Sequence, residues 1–160
     1  MCAAQRPLQE TSDLIGEIYD AALDPSCWQV VLQHLVDGFD CTSALIRILD
    51  PDHAKVDFSF TCGFTTHCLR AYAEHFVRVD PFVQALNRKP IGHIGVSQEV
   101  LSDRELQRTE YFNDYMRPHG RFHLAGGYVV REQGRVVQFA LQRERRAGAF
   151  DERNCGCCAC

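Results

Sequence analysis

With 160 residues, 46% of them hydrophobic and 24% charged, the chain has material for one domain around one sizeable core and too little length for a second. A formal net charge of −4 removes the global attraction to a phosphate backbone that non-specific nucleic-acid binding requires. No apolar run approaches the roughly twenty residues of a membrane span, and Met1–Leu8 lacks the apolar segment of a signal peptide, so the expected location is cytoplasmic.

The nine cysteines fall into two groups. Cys2, Cys27, Cys41, Cys62 and Cys68 are scattered, which in a reducing compartment suits small buried hydrophobes. Cys155, Cys157, Cys158 and Cys160 crowd the end with no histidine and no second pair across a turn, so they do not present a tetrahedral zinc site. The expectation is one α/β domain over residues 1–154 and a disordered or artefactual tail over 155–160, with no metal and no cofactor.

In chain order, Leu14, Ile15, Ile18, Tyr19, Ala22 and Leu23 recur at helical spacing and predict a first helix over residues 8–23. Asp24-Pro25 restarts the chain, with Asp24 as cap and Trp28, Val31, Leu32, Leu35, Val36 and Phe39 as the apolar stripe of a second helix. Residues 42–49 and 55–61 read as a β-hairpin around Asp50-Pro51-Asp52, with Val56, Phe58 and Phe60 on one face. Residues 64–86 read as a helix that breaks near Asp80-Pro81, because the residue before proline is driven out of the helical region, and Asp80 can cap a short helix starting at Pro81.

Residues 93–97 predict a short edge strand. Ser102 and Glu105 form a capping box for a helix running through Leu106, Tyr111, Phe112 and Tyr115 to Pro118. Residues 121–132 and 135–143 predict two strands around Gln133-Gly134. Phe122, Leu124, Tyr128 and Val130 are expected on one face, with Gly126-Gly127 marking a bulge or a close approach to the backbone. A helix start is read at Phe150-Asp151-Glu152. Tight turns between strands and helices between hairpins define an α+β class: an α-β-α sandwich with a central antiparallel sheet of about five strands.

Four stretches, Tyr19–Trp28, Tyr72 to Asp80-Pro81, Tyr111–Gly120 and Arg145–Arg153, together resemble the N-terminal ligand-sensing region of LuxR-type helix-turn-helix regulators, a PAS- or GAF-like domain. The resemblance implies a sensory domain, recorded without its C-terminal DNA-binding half, that binds a small molecule. DNA would be reached only through a helix-turn-helix domain absent from this chain. In the lactone-binding branch of that family a Trp and a Tyr precede the Asp-Pro. Here His67 and Ala71 occupy those places, Tyr72 is one step off, and no Trp follows Trp28. The implied ligand is therefore an unspecified small molecule.

The candidate ligand residues are Phe58, Phe60, Phe64, Tyr72, Phe76, Asp80, Phe82, Tyr111, Tyr115 and Leu124. Each has a plainer role beside that one: helix cap for Asp80, core packing for the aromatic rings. Two alternatives accompany the sensor, a ligand-free dimerisation module and a small thiol- or metal-dependent enzyme. The enzyme is disfavoured, since no nucleophile, base and oxyanion motif come together and Gly126-Gly127 is not a phosphate loop. An enclosed cavity at Tyr72 and Phe76 would favour the sensor. An exposed apolar patch on the first helix pair with a filled interior would favour the dimer, and a His within reach of Cys62 the enzyme. The expected partners are the small molecule and, as an option, a second copy, with no membrane.

Overall fold

The structure, a computed structural model, describes residues 8–151. The cysteine-rich tail, Cys2 and the Glu152 side of the last expected helix lie outside the described residues. Helix α1 (Leu8–Leu23) is followed by a 3-10 turn (Pro25–Cys27) and α2 (Trp28–Gly38). Asp24 caps the turn, accepting from the Ser26 amide at 3.0 Å, so the restart read at Asp24-Pro25 is there with one tight turn before the helix.

Strands β1 (Ser43–Asp50) and β2 (Lys55–Cys62) form the first hairpin. Strands β3 (Gly95–Val96), β4 (His123–Glu132) and β5 (Arg135–Arg143) complete a five-stranded sheet of order β2-β1-β5-β4-β3, antiparallel at every pairing. The architecture is α+β. One apolar cluster, including Leu32, Ala44, Leu141 and Phe150, lies on the side of α2, and a larger one built on Tyr72, Phe82, Tyr111 and Tyr128 lies on the other. The order of elements follows the sequence reading throughout.

The departures arise from local irregularities. A register shift between Ile48 and Leu49 pairs Leu49 with Val56 and carries Val56 into the larger cluster, away from the face of Phe58 and Phe60. A second shift, between Tyr128 and Val130, leaves Val130 exposed instead of sharing the face of Phe122, Leu124 and Tyr128. The bulge sits two residues beyond Gly126-Gly127. Those glycines mark the close approach: a Cβ at Gly127 would lie 2.0 Å from the His93 carbonyl oxygen, and one at Gly126 2.5 Å from that of Phe139.

The long helix expected over 64–86 is three pieces: α3 (Thr66–Glu74), a 3-10 turn (Phe76–Arg78) and α4 (Pro81–Asn87). The first break falls at His75, whose φ of −136° leaves the helical region well before the proline. The helix expected from Ser102 to Tyr115 is also divided. The Ser102–Glu105 box caps only α5 (Asp103–Leu106), and a π-helical turn follows at Tyr111–Met116. Thr109 explains the division: its hydroxyl donates to the Leu106 carbonyl at 2.7 Å and accepts from the Phe112 amide at 3.1 Å, ending one segment and capping the next.

Candidate functional site

Strand β1 reads Ala-Leu-Ile-Arg-Ile-Leu over 44–49, apolar on both sides of Arg47, so both faces of the strand are covered and the arginine is carried inside. Arg47 is 7% exposed. Its Nε donates to Gln138 Oε1 on β5 at 2.7 Å, its Nη2 donates to the Tyr72 hydroxyl at 2.5 Å, and the guanidinium carbon lies 4.0 Å from the Tyr72 ring centroid. The Tyr72 hydroxyl in turn donates to Asp80 Oδ2 at 2.8 Å.

Asp80 does two things at once. Its Oδ1 accepts the Phe82 amide at 2.8 Å and caps α4, while Oδ2 accepts from the Tyr72 hydroxyl. Burial pushes the Asp80 carboxyl above its ordinary value, against the opposing pull of Arg47, Tyr72, the Phe82 amide and Tyr111. Burial likewise drives the Tyr72 and Tyr111 phenols well up, so both stay protonated and act as neutral donors.

Around this polar line the aromatic rings close in. Tyr115 lies 5.5 Å from Tyr72, 5.3 Å from Tyr111 and 4.9 Å from Phe76, and Phe82 stands edge-on to Tyr111 at 6.1 Å. The π-helical turn is what makes this possible. Its wider winding keeps Tyr111, Phe112, Tyr115 and Met116 all buried against the sheet, and π turns recur at functional positions. Tyr128 closes the far side, its hydroxyl donating to the Val83 carbonyl at 3.1 Å.

The structure thus brings together Tyr72, Phe76, Asp80, Phe82, Tyr111 and Tyr115. Phe64 lies at the other end of the same cluster, its ring centroid 4.1 Å from the Arg121 guanidinium. Leu124 packs into the cluster and, with Phe82, lines a crevice of about 10 Å³ beside Leu86 and Val100, rimmed by Lys89, His93 and Glu99. Phe58 and Phe60 do not join them. They face α2, where Phe60 stacks with Trp28 at 6.3 Å and Phe58 is half exposed, because the β1–β2 register places Ser59 and not the phenylalanines opposite Arg47.

Tyr72 is buried within the larger cluster, and Phe76 is partly buried against it. The apolar residues Ile15, Ile18, Tyr19 and Leu23 of α1 are exposed. Cys62 has a glutamine for its partner, its Sγ donating to Gln33 Oε1 at 3.1 Å, which gives no thiol–imidazole pair there. Among the described residues no group of three His, Cys, Asp or Glu converges to hold a metal ion, and no helix is long and apolar enough to cross a membrane.

Sequence reasoning missed Arg47, Gln138 and Arg121. The signal for the first was available: a charge inside a strand that is apolar on both faces must be buried, and a buried charge must find partners.

No family model and no curated protein matches the chain. A crystal structure of the VqsR LBD domain from Pseudomonas aeruginosa is similar, with a TM-score of 0.66 over 90% of this chain and 84% of that one, at 18% sequence identity. At that identity the likeness is one of fold.

Proposed function

We propose that the chain is the sensory domain of a LuxR-type regulator, taking a small molecule between the sheet and the helical cover of residues 64–87 and 103–119. The observation that carries this reading is the buried line Gln138–Arg47–Tyr72–Asp80. Replacing such a buried ionic network by apolar side chains is commonly neutral or stabilising by about 1–4 kcal/mol, so a domain with no task beyond folding has little use for it. A ligand with a carbonyl, amide or acid group would exchange hydrogen bonds with the same donors and acceptor.

Two further features support it. The cover consists of short helical pieces broken at His75 and at Thr109, which can part more readily than one long packed helix. The fold is shared with a domain described as an LBD. Binding would bias the packing of the cover and so the position of an attached output element; DNA contact would belong to a helix-turn-helix domain elsewhere in the regulator. A melting screen of small organic compounds tests the site. A compound that stabilises the parent should stabilise Tyr72→Phe and Asp80→Asn much less, and equal shifts in all three proteins would remove these residues from the binding site.

A second reading, a ligand-free dimerisation module, is favoured by the exposed Ile15, Ile18, Tyr19 and Leu23 on α1 together with the packed cluster around Tyr72. Sedimentation should show a reversible dimer that Ile18→Glu with Leu23→Glu converts to monomer; a parent protein monomeric up to its solubility limit would rule it out.

A further inference from the structure

Among the described residues three arginines and a single carboxylate are buried: Arg47, Arg121 and Arg143 against Asp80. Arg47 is linked to Asp80 through the Tyr72 hydroxyl. Arg143 ties down residues 149–150 on the α2 side, donating to the Phe39 and Ala149 carbonyls over the Phe150 ring. Arg121 has no such explanation. It is 3% exposed and, among the described residues, takes part in no ion pair.

Its hydrogen bonds go to a thiol, Nη1 to Cys68 Sγ at 3.2 Å, and to one carbonyl, Nη2 to Gly63 at 3.0 Å, while Nε has no partner among the described residues. A buried cation with this set of partners is poorly compensated by its surroundings, because thiols are weak acceptors and charges inside proteins are ordinarily matched by opposite charge.

The surroundings of Arg121 repeat the imbalance. Its guanidinium lies 4.1 Å from the Phe64 ring centroid and 5.9 Å from that of Tyr115. His119, whose Nδ1 is also buried without a partner among the described residues, stacks 6.0 Å from Tyr115. Burial, then the fields of Arg121 and His67, hold the His119 imidazole below its ordinary value. The N-terminus of α3 adds its partial positive charge from the same side, since Cys68 lies in its first turn. Gly63, whose carbonyl takes the Arg121 bond, and Thr65, Thr66 and His67 just beyond it are exposed.

We infer that Arg121 is the anion-binding end of the sensor's site and that the ligand is an organic carboxylate, its acid group on Arg121 beside His119 and its apolar or aromatic body among Phe64, Tyr115 and Phe76. The inference rests on the sensory function proposed above and narrows it to a class of ligand. Charge-assisted pairing of a carboxylate with a guanidinium is bidentate and directional, and the flanking rings suit a flat body.

Phenylacetate and its neutral isostere phenylacetamide are suitable probes, compared by calorimetric titration of the whole chain. Phenylacetate should bind at least about tenfold more tightly than phenylacetamide, the loss expected when a charged hydrogen-bond partner is removed. Arg121→Gln should abolish that preference and Arg121→Lys should keep part of it. Equal binding of acid and amide would overturn the carboxylate inference and leave the sensor intact. So would an acid preference unchanged in Arg121→Gln, or sulfate binding as tightly as phenylacetate. Failure of both organic probes to bind would also overturn it. The acid and amide comparison uses the parent protein alone, so it stands even where a substitution prevents folding.

Discussion

Asp80 and Arg47 are the residues on which stability and the proposed function meet. Removing the guanidinium by Arg47→Met would strand the buried Asp80 carboxyl without its cation, and should cost about 3–5 kcal/mol of unfolding free energy in urea. The double variant Arg47→Met with Asp80→Asn should cost clearly less than the two single losses added together, because each single change strands the other partner. Additive losses would show that Tyr72 does not couple the two. The Asp80 titration has a definite sign. Its folded pKa is raised by burial, so the folded state holds this proton more tightly than the unfolded chain, and the associated stability is present below the unfolded value of 3.8 and lost as pH rises through the folded pKa. The stability of Asp80→Asn relative to the parent should therefore improve as pH is raised from acid toward neutral. Paired urea titrations across that range measure it, and a constant or declining difference would contradict the raised pKa.

The elements behave as a rigid sheet beneath a segmented cover. Strand β3 is two residues long and depends on the side-chain-free backbone of β4, where a Gly127 Cβ would collide with the His93 carbonyl. Gly127→Ala should destabilise by about 1–3 kcal/mol or more, with faster amide exchange at Gly95 and Val96 than elsewhere in the sheet. Thr109→Ala should cost about 1 kcal/mol through the lost cap at Phe112. Its larger effect should be on exchange in residues 110–116.

At this scale the order of elements was legible because amphipathic periodicity, Asp-Pro restarts and the Gln133-Gly134 turn are local signals. The breaks at His75 and Thr109 were not. Both interrupt continuous apolar spacing: the first coincides with the packing of Phe76 against Tyr115, and the second is made by the Thr109 hydroxyl, a bond that apolar spacing does not show. The two strand bulges were hidden for a related reason, since a register shift changes faces without changing composition. Those shifts account for the misplacement of Val56 and Val130. Phe58 and Phe60 show a clear alternation, but alternation fixes which residues share a face and leaves open which layer that face meets, so their place on the α2 side was not legible.

As a whole the molecule divides its chemistry between the two sides of one sheet. The α1–α2 side packs an apolar cluster with the Arg143 guanidinium against it and leaves Ile15, Ile18, Tyr19 and Leu23 uncovered, whereas the other side buries a polar line inside an aromatic shell. Such a division suits a domain that changes packing on one side and communicates through the other, with the sheet common to both. The five tyrosines report on the division directly, because Tyr72, Tyr111, Tyr115 and Tyr128 are buried on the side of the polar line while Tyr19 is 72% exposed on α1. Fluorine NMR of the 3-fluorotyrosine-labelled protein, titrated with phenylacetate, phenylacetamide and an acyl-homoserine lactone, therefore tests the central claim. At least one of the three should move the Tyr72, Tyr111 and Tyr115 resonances together while Tyr19 stays in place. If all three leave the buried resonances unmoved at saturating concentration, or shift only Tyr19, the buried network is not a ligand site.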